Sequence, residues 1–134
     1  MEQGYVLLHR SICDCWVWQN SPFGEGQAWV DLVLLANHED KKIRFNGQFI
    51  TVKRGQRITS MRSLATRWKW GKDKVVRFLN ALEQDKMIDT ERDSKKTLIT
   101  IVNYDKYQFP NTHNETQTRQ YRDSIETKQI MIKN

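Results

Sequence analysis

The sequence predicts an α+β fold, and three stretches carry that prediction. Between Ile58 and Ile88 apolar residues recur twice at helical spacing, with a short break between the runs. Between Lys42 and Val52 an alternating pattern is interrupted by Asn46-Gly47. From Met87 to Asn103 two β-prone runs flank a polar turn. Helical periodicity, a hairpin dipeptide and β-branched alternation are separate signals, and they fall in separate segments.

The helix pair comes first because the rest is arranged around it. Met61, Leu64, Ala65 and Trp68 lie at i, i+3, i+4 and i+7. After Trp70-Gly71, the residues Val75, Phe78, Leu79 and Leu82 repeat the spacing. This predicts two short amphipathic helices joined by a tight turn containing glycine. Thr59 or Ser60 supplies the first helix with an N-cap hydroxyl. At about 100° per residue, the apolar stripe of the second helix leaves Asp73, Arg77, Asn80 and Gln84 on the opposite face, with Lys74, Val76 and Ala81 alongside. A helix with one face on a core and donors on the other suits a DNA groove.

Charge converges on the same stretch. From Lys53 to Arg77 there are nine basic residues (Lys53, Arg54, Arg57, Arg62, Arg67, Lys69, Lys72, Lys74 and Arg77) against one acidic residue, Asp73. That window is +8 in a chain whose total is +6, so the remainder sums to −2. Positive charge concentrated on one element is the footprint of a phosphate-binding surface.

Composition bounds the alternatives. A chain of 134 residues is one domain with a tail, and 38% apolar residues with five Trp suffice for a core. The pI near 9.4 favours an anionic partner. No apolar run reaches the roughly 20 residues of a membrane span, and no secretory signal pattern opens the chain; a cytoplasmic protein in a bacterial host cell is expected. Cys13 and Cys15 at i and i+2 on a helix point apart and cannot bridge. His9 with these cysteines lacks the ligand count and spacing of a metal site, so no metal or other cofactor is expected. Neither a GxxxxGK[ST] loop, a carboxylate pair nor GxSxG is present, and His9, His38 and His113 lie in unrelated segments. The chain reads as non-enzymatic. His38 follows an apolar helix and suits its C-terminal dipole.

In chain order, residues 1–7 read as an extended lead-in, and Leu8, Ile12, Cys15 and Trp16 suggest a first helix from Leu8 to Trp18. Asn20, Ser21, Pro22 and Gly24 end it. Gly26–Asn37 is a second helix, apolar almost all round, whose polar positions are Gln27, Asp31 and Asn37. Such a helix is buried on all sides. Either the first helix and the hairpin cover it, or one side meets another copy of the chain. Trp29, Val30, Val33 and Leu34 are then the self-association residues of a dimer or higher oligomer. The hairpin at Asn46-Gly47 places Ile43, Phe45, Ile50, Val52 and Gln48 on one face and Arg44, Phe49 and Thr51 on the other, leaving Phe49 an exposed aromatic. Residues 53–57 read as a basic linker.

After the helix pair, Met87–Arg92 and Thr97–Asn103 read as strands around the turn Asp93-Ser94-Lys95-Lys96. Helix, turn, helix and two-stranded hairpin is the order of a winged helix-turn-helix, here with an additional N-terminal helical pair and β-hairpin. Lys95 and Lys96 form the wing tip and Arg92 its base. Tyr104 and Tyr107 return to the core. The predicted domain is 1–109; residues 110–134 are a polar, flexible tail ending in the small apolar patch of QIMIKN.

The segments GQAWVDLVLLANHEDKK, VKRGQRITS, LATRWKWGKDKVVRFLNALEQDKMI and TLITIVNYDKYQ occur in this order between Leu8 and Gln108, about three quarters of the chain. In them the sequence resembles the N-terminal winged-helix domain of phage and prophage replisome-organiser proteins, relatives of the DnaD primosome component of Gram-positive bacteria. The resemblance implies DNA binding near a phage origin, recruitment of a host replication protein and self-association. Members often open the recognition helix with Ser, where this chain has Lys72. Full-length members usually carry a second, C-terminal helical domain.

The expected function is therefore double-stranded DNA binding in replication initiation. Lys72, Lys74, Arg77 and Asn80 face bases, Arg77 suiting guanine and Asn80 adenine. Lys53, Arg54, Arg57, Arg62, Arg67, Lys69, Arg92, Lys95 and Lys96 hold phosphates. A transcriptional regulator shares all these features. A protein–protein interaction module or inhibitor of a host factor would instead use Gly26–Asn37 and Phe49.

Overall fold

The structure, a computed structural model, describes residues 5–19 and 22–108. The predicted tail 110–134 lies outside the described residues. A 3-10 turn (Arg10–Asp14) and the one-turn helix α1 (Trp16–Gln19) precede α2 (Glu25–Leu35). Then come β1 (Lys41–Phe45), β2 (Gln48–Val52), β3 (Gln56–Thr59), α3 (Met61–Trp68), α4 (Lys72–Gln84), β4 (Ile88–Arg92), β5 (Thr97–Ile101) and the single turn α5 (Tyr104–Tyr107). The chain is thus α+β, with two small antiparallel sheets: β1-β2, and β3-β5-β4 with β5 in the centre.

The helix pair forms where the periodicity placed it. Ser60 caps α3, its hydroxyl accepting from the Ser63 N–H at 3.0 Å. Leu64 and Trp68 of α3 and Val75, Phe78, Leu79 and Leu82 of α4 are buried. Trp68, Trp70 and Phe78 form an edge-to-face cluster with centroids 4.9–5.8 Å apart, locking the two helices across the turn. The turn differs from expectation in its chemistry. Lys69 takes the left-handed conformation (φ 59°), and Trp70 N–H reaches back to Ala65 O at 3.0 Å. Gly71 is the N-cap of α4 in extended conformation, and Lys72 is the first helical residue rather than the cap. Asp73, in the first turn, offers the helix dipole a negative charge where Gly71 has no side chain to cap it.

The β1-β2 hairpin has the predicted register, pairing Ile43 with Ile50 and Arg44 with Phe49. Asn46 (φ 51°) and Gly47 (φ 79°) both occupy positive φ at its tip. Residues 53–57 are not a plain linker: from Gln56 the backbone becomes β3 and pairs with β5, Ile58 opposite Leu98. Gly55 (φ 81°) makes this possible. A Cβ there would stand 2.9 Å from Tyr104 Cβ, so the α2–β1 loop, β3 and β5 close together only over a glycine.

The N-terminal segment departs from the single helix expected there. Leu8–Trp18 is not one helix, because Cys15 is extended (φ −84°, ψ 146°) and splits it into two short turns with Leu8 and Trp16 exposed. α2 is buried largely by its own chain. Val33 and Leu34 belong to the monomer core, Trp29 packs edge-on against Tyr107 at 5.8 Å, and Val30 is 36% exposed. The proposed self-association residues therefore do not form one open apolar face. Asp31, expected on the polar side of α2, is 0% exposed. Arg10 ties the N-terminal turn to this core, its Nε donating to Leu34 O at 2.9 Å and its Nη2 to the Tyr104 hydroxyl at 3.2 Å.

Candidate nucleic-acid interface

The outer face of α4 follows from its buried stripe. With Val75, Phe78, Leu79 and Leu82 inward, Lys72, Asp73, Lys74, Arg77, Asn80 and Gln84 are exposed. Among the described residues, Lys72 and Arg77 have no side-chain partner, so both present their full set of N–H donors to solvent. Lys74 leans back, its Nζ 4.3 Å from the centroid of Trp70. Asn80 is already engaged: its Oδ1 accepts from Arg92 Nη2 at 2.9 Å. The residues assigned separately to base and phosphate thus form one pair. This bond uses one of the two lone pairs of Oδ1 and leaves the Asn80 amide N–H donors without a partner among the described residues.

The basic residues of α3 and its turn are placed differently. Arg67 makes a two-pronged ion pair with Asp31, Nε to Oδ2 at 2.6 Å and Nη2 to Oδ1 at 2.9 Å. The bond to Asp31 raises the guanidinium pKa above its ordinary value. Trp68 Nε1 donates to the same Asp31 Oδ2 at 2.7 Å. Lys69 Nζ donates to Gln19 O at 2.9 Å. Arg67 and Lys69, both expected at phosphates, are thus engaged within the chain by a buried carboxylate and a main-chain carbonyl. Arg62 is exposed and has no side-chain partner among the described residues. It borders, with Arg67, Lys69, Trp18 and Phe23, a cavity of about 670 Å³ between α3 and the N-terminal segment. Arg54 is likewise structural. Its Nε binds Asp105 at 2.8 Å, its Nη1 donates to His38 O, and its guanidinium lies 4.9 Å from the Tyr104 ring centroid. Lys53 and Arg57 are exposed.

The β4–β5 turn is built by Asp93. Its Oδ1 accepts from the Lys95 and Lys96 N–H groups at 2.7 and 2.8 Å, and these bonds lower its pKa. The Lys95 side chain projects without a partner among the described residues. Lys96 instead lies over Phe45 of β1, Nζ 5.0 Å from the ring centroid, which places the hairpin tip beside this turn. Of the residues the sequence singled out, the structure leaves Lys72, Arg77 and Lys95 unengaged near α4 and the turn, and Lys53, Arg57 and Arg62 exposed elsewhere.

The remaining polar groups have structural roles. His9 Nδ1 caps the 3-10 turn by accepting from Ser11 N–H. His38 lies beyond the end of α2, beside Glu39. Burial, reinforced by Asp31 at 3.9 Å, pushes the Cys13 thiol pKa up. The described residues contain no group of three or more His, Cys, Asp or Glu that could hold a metal, and no helix long and apolar enough to cross a membrane. No protein-family model, curated protein or solved structure matches the chain.

Proposed function

We propose that this chain is a non-enzymatic double-stranded-DNA-binding protein in which β3, α3, α4, β4 and β5 act as a winged helix-turn-helix. The observation that carries the proposal is the outer face of α4, where Lys72 and Arg77 have no side-chain partner among the described residues, on a helix seated by the Trp68–Trp70–Phe78 cluster. The helix enters the major groove with Arg77 against a guanine edge, and the β4–β5 turn brings Lys95 to the backbone. The sequence resemblance to phage replisome organisers favours a role in replication initiation for a phage or mobile element, within a bacterial cytoplasm and beside a host replication protein. A transcriptional regulator would bind DNA in the same way and differ only in where its site lies. The interaction-module alternative loses most of its surface, because α2 is buried largely by its own chain.

The test is recovery of genomic fragments from the encoding element at about 150 mM salt, which suppresses purely electrostatic binding. Enrichment of one repeat-bearing segment is expected. Its position inside a replication region rather than over a promoter supports the replication role. No enrichment by well-folded protein would sink the proposal.

A further inference from the structure

We infer that the outward face of the β1-β2 hairpin is a binding site for single-stranded DNA, with Phe49 as the platform on which an unpaired base stacks. Phe49 is 68% exposed although the opposite face of the same hairpin is covered, with Val52 buried and Ile43, Phe45 and Ile50 half-buried. Cross-strand pairing sets Arg44 opposite Phe49 and Lys42 opposite Thr51. The Lys42 ammonium lies 5.2 Å from the Phe49 ring centroid. One aromatic ring is therefore flanked by two cations on a pleated surface. Between Lys41 and Val52 the chain has three basic residues and no acidic one.

This pattern selects among occupants. A protein partner would need more apolar surface around the ring, and the outward face offers only Phe49 among Lys42, Arg44 and Thr51. Duplex DNA shows its bases edge-on in the grooves and hides their faces in the stack. A single strand offers both a π-face for the ring and phosphates for the cations. The Lys96–Phe45 contact sets the opposite, covered face of the hairpin against the β4–β5 turn, so the Phe49 face is turned away from that turn and is separate from the surface proposed for duplex binding. The inference rests on that proposal only in taking the polymer to be DNA. It adds a second form of that polymer, held by different residues.

The experiment is fluorescence anisotropy of the full chain with labelled oligothymidine of about 15 nucleotides, beside a duplex carrying the enriched segment or, if none is enriched, a random-sequence duplex. Phe49→Ala is expected to weaken oligothymidine binding about tenfold, and Phe49→Tyr to restore it, while duplex affinity stays within about twofold. Arg44→Ala should flatten the salt dependence for the single strand. An exposed ring leaves folding intact, which the thermal midpoint of Phe49→Ala checks. No oligothymidine binding by the wild type, equal affinity in Phe49→Ala, or equal losses on both DNAs would each overturn the inference. Phe49-dependent binding of the single strand without duplex binding would sink the winged-helix proposal and leave this one standing. Arg77-dependent duplex binding with no effect of Phe49 would do the reverse.

Discussion

The two helices of the central pair are alike in sequence and unlike in what their basic residues do. Both are short, amphipathic and basic, and each is followed by a left-handed lysine, Lys69 after α3 and Lys86 after α4. Yet Arg67 on α3 is consumed by Asp31 and Lys69 by Gln19 O, whereas Lys72 and Arg77 on α4 meet no protein group among the described residues. Counting charge locates the basic region. Only the partner of each cation tells which part of that charge is available to a ligand.

The largest expected effect lies on the α3 side. Asp31→Ala strands the Arg67 fork and the Trp68 N–H together. It should cost about 3 kcal/mol of stability, the low end for a broken buried pair because Arg67 still reaches solvent. Urea unfolding measures it, and a loss well under 1 kcal/mol would mean that Arg67 is as available as Arg77. On the α4 side, Arg77→Ala should leave the unfolding midpoint in place and cost about 1–3 kcal/mol of discrimination at one base position. Arg67→Ala should show the opposite profile, with stability lost and sequence preference kept.

Smaller effects sharpen the contrast at the β4–β5 turn. Lys95→Ala should weaken all duplexes alike and lower the salt slope by about 1, whereas Lys69→Ala should leave the slope unchanged. Salt titrations of the two variants decide this. The Asp93 turn adds a pH signature. Its carboxyl is held below 3.8 by the Lys95 and Lys96 amides, so the native turn is favoured above the unfolded aspartate pKa, and that advantage is lost as pH falls through the lower folded value. The two amide NMR shifts should titrate together with a midpoint below 3.8. A midpoint at the ordinary value would mean the turn is open in solution.

What could be read from the sequence was local, and what could not was long-range. Helical spacing located α3 and α4 and the inward residues of α4, and Asn46-Gly47 fixed the hairpin register. β3 was missed because Gln56-Arg57-Ile58-Thr59 has a linker's composition and its partner β5 lies some 40 residues on. Asp31 looked like a surface residue of α2 because Arg67 and Trp68, which make its burial possible, lie 36 and 37 positions away. The Asn80–Arg92 pair had the same cause: two polar residues on different elements, each read alone as facing DNA. The first helix was over-read for the opposite reason, since its periodic apolar residues have little core to pack against. The exposed Phe49 was visible from register alone; the cation over its ring was not.

The measurement closest to the central claim is the affinity of wild type and Arg77→Ala for the enriched duplex and for a random one, at about 150 mM salt. If the exposed face of α4 reads sequence, Arg77→Ala loses affinity for the enriched duplex and little for the random one, so the ratio between them falls. Equal losses on both duplexes, or none on either, would contradict it and reduce Arg77 to one more surface cation.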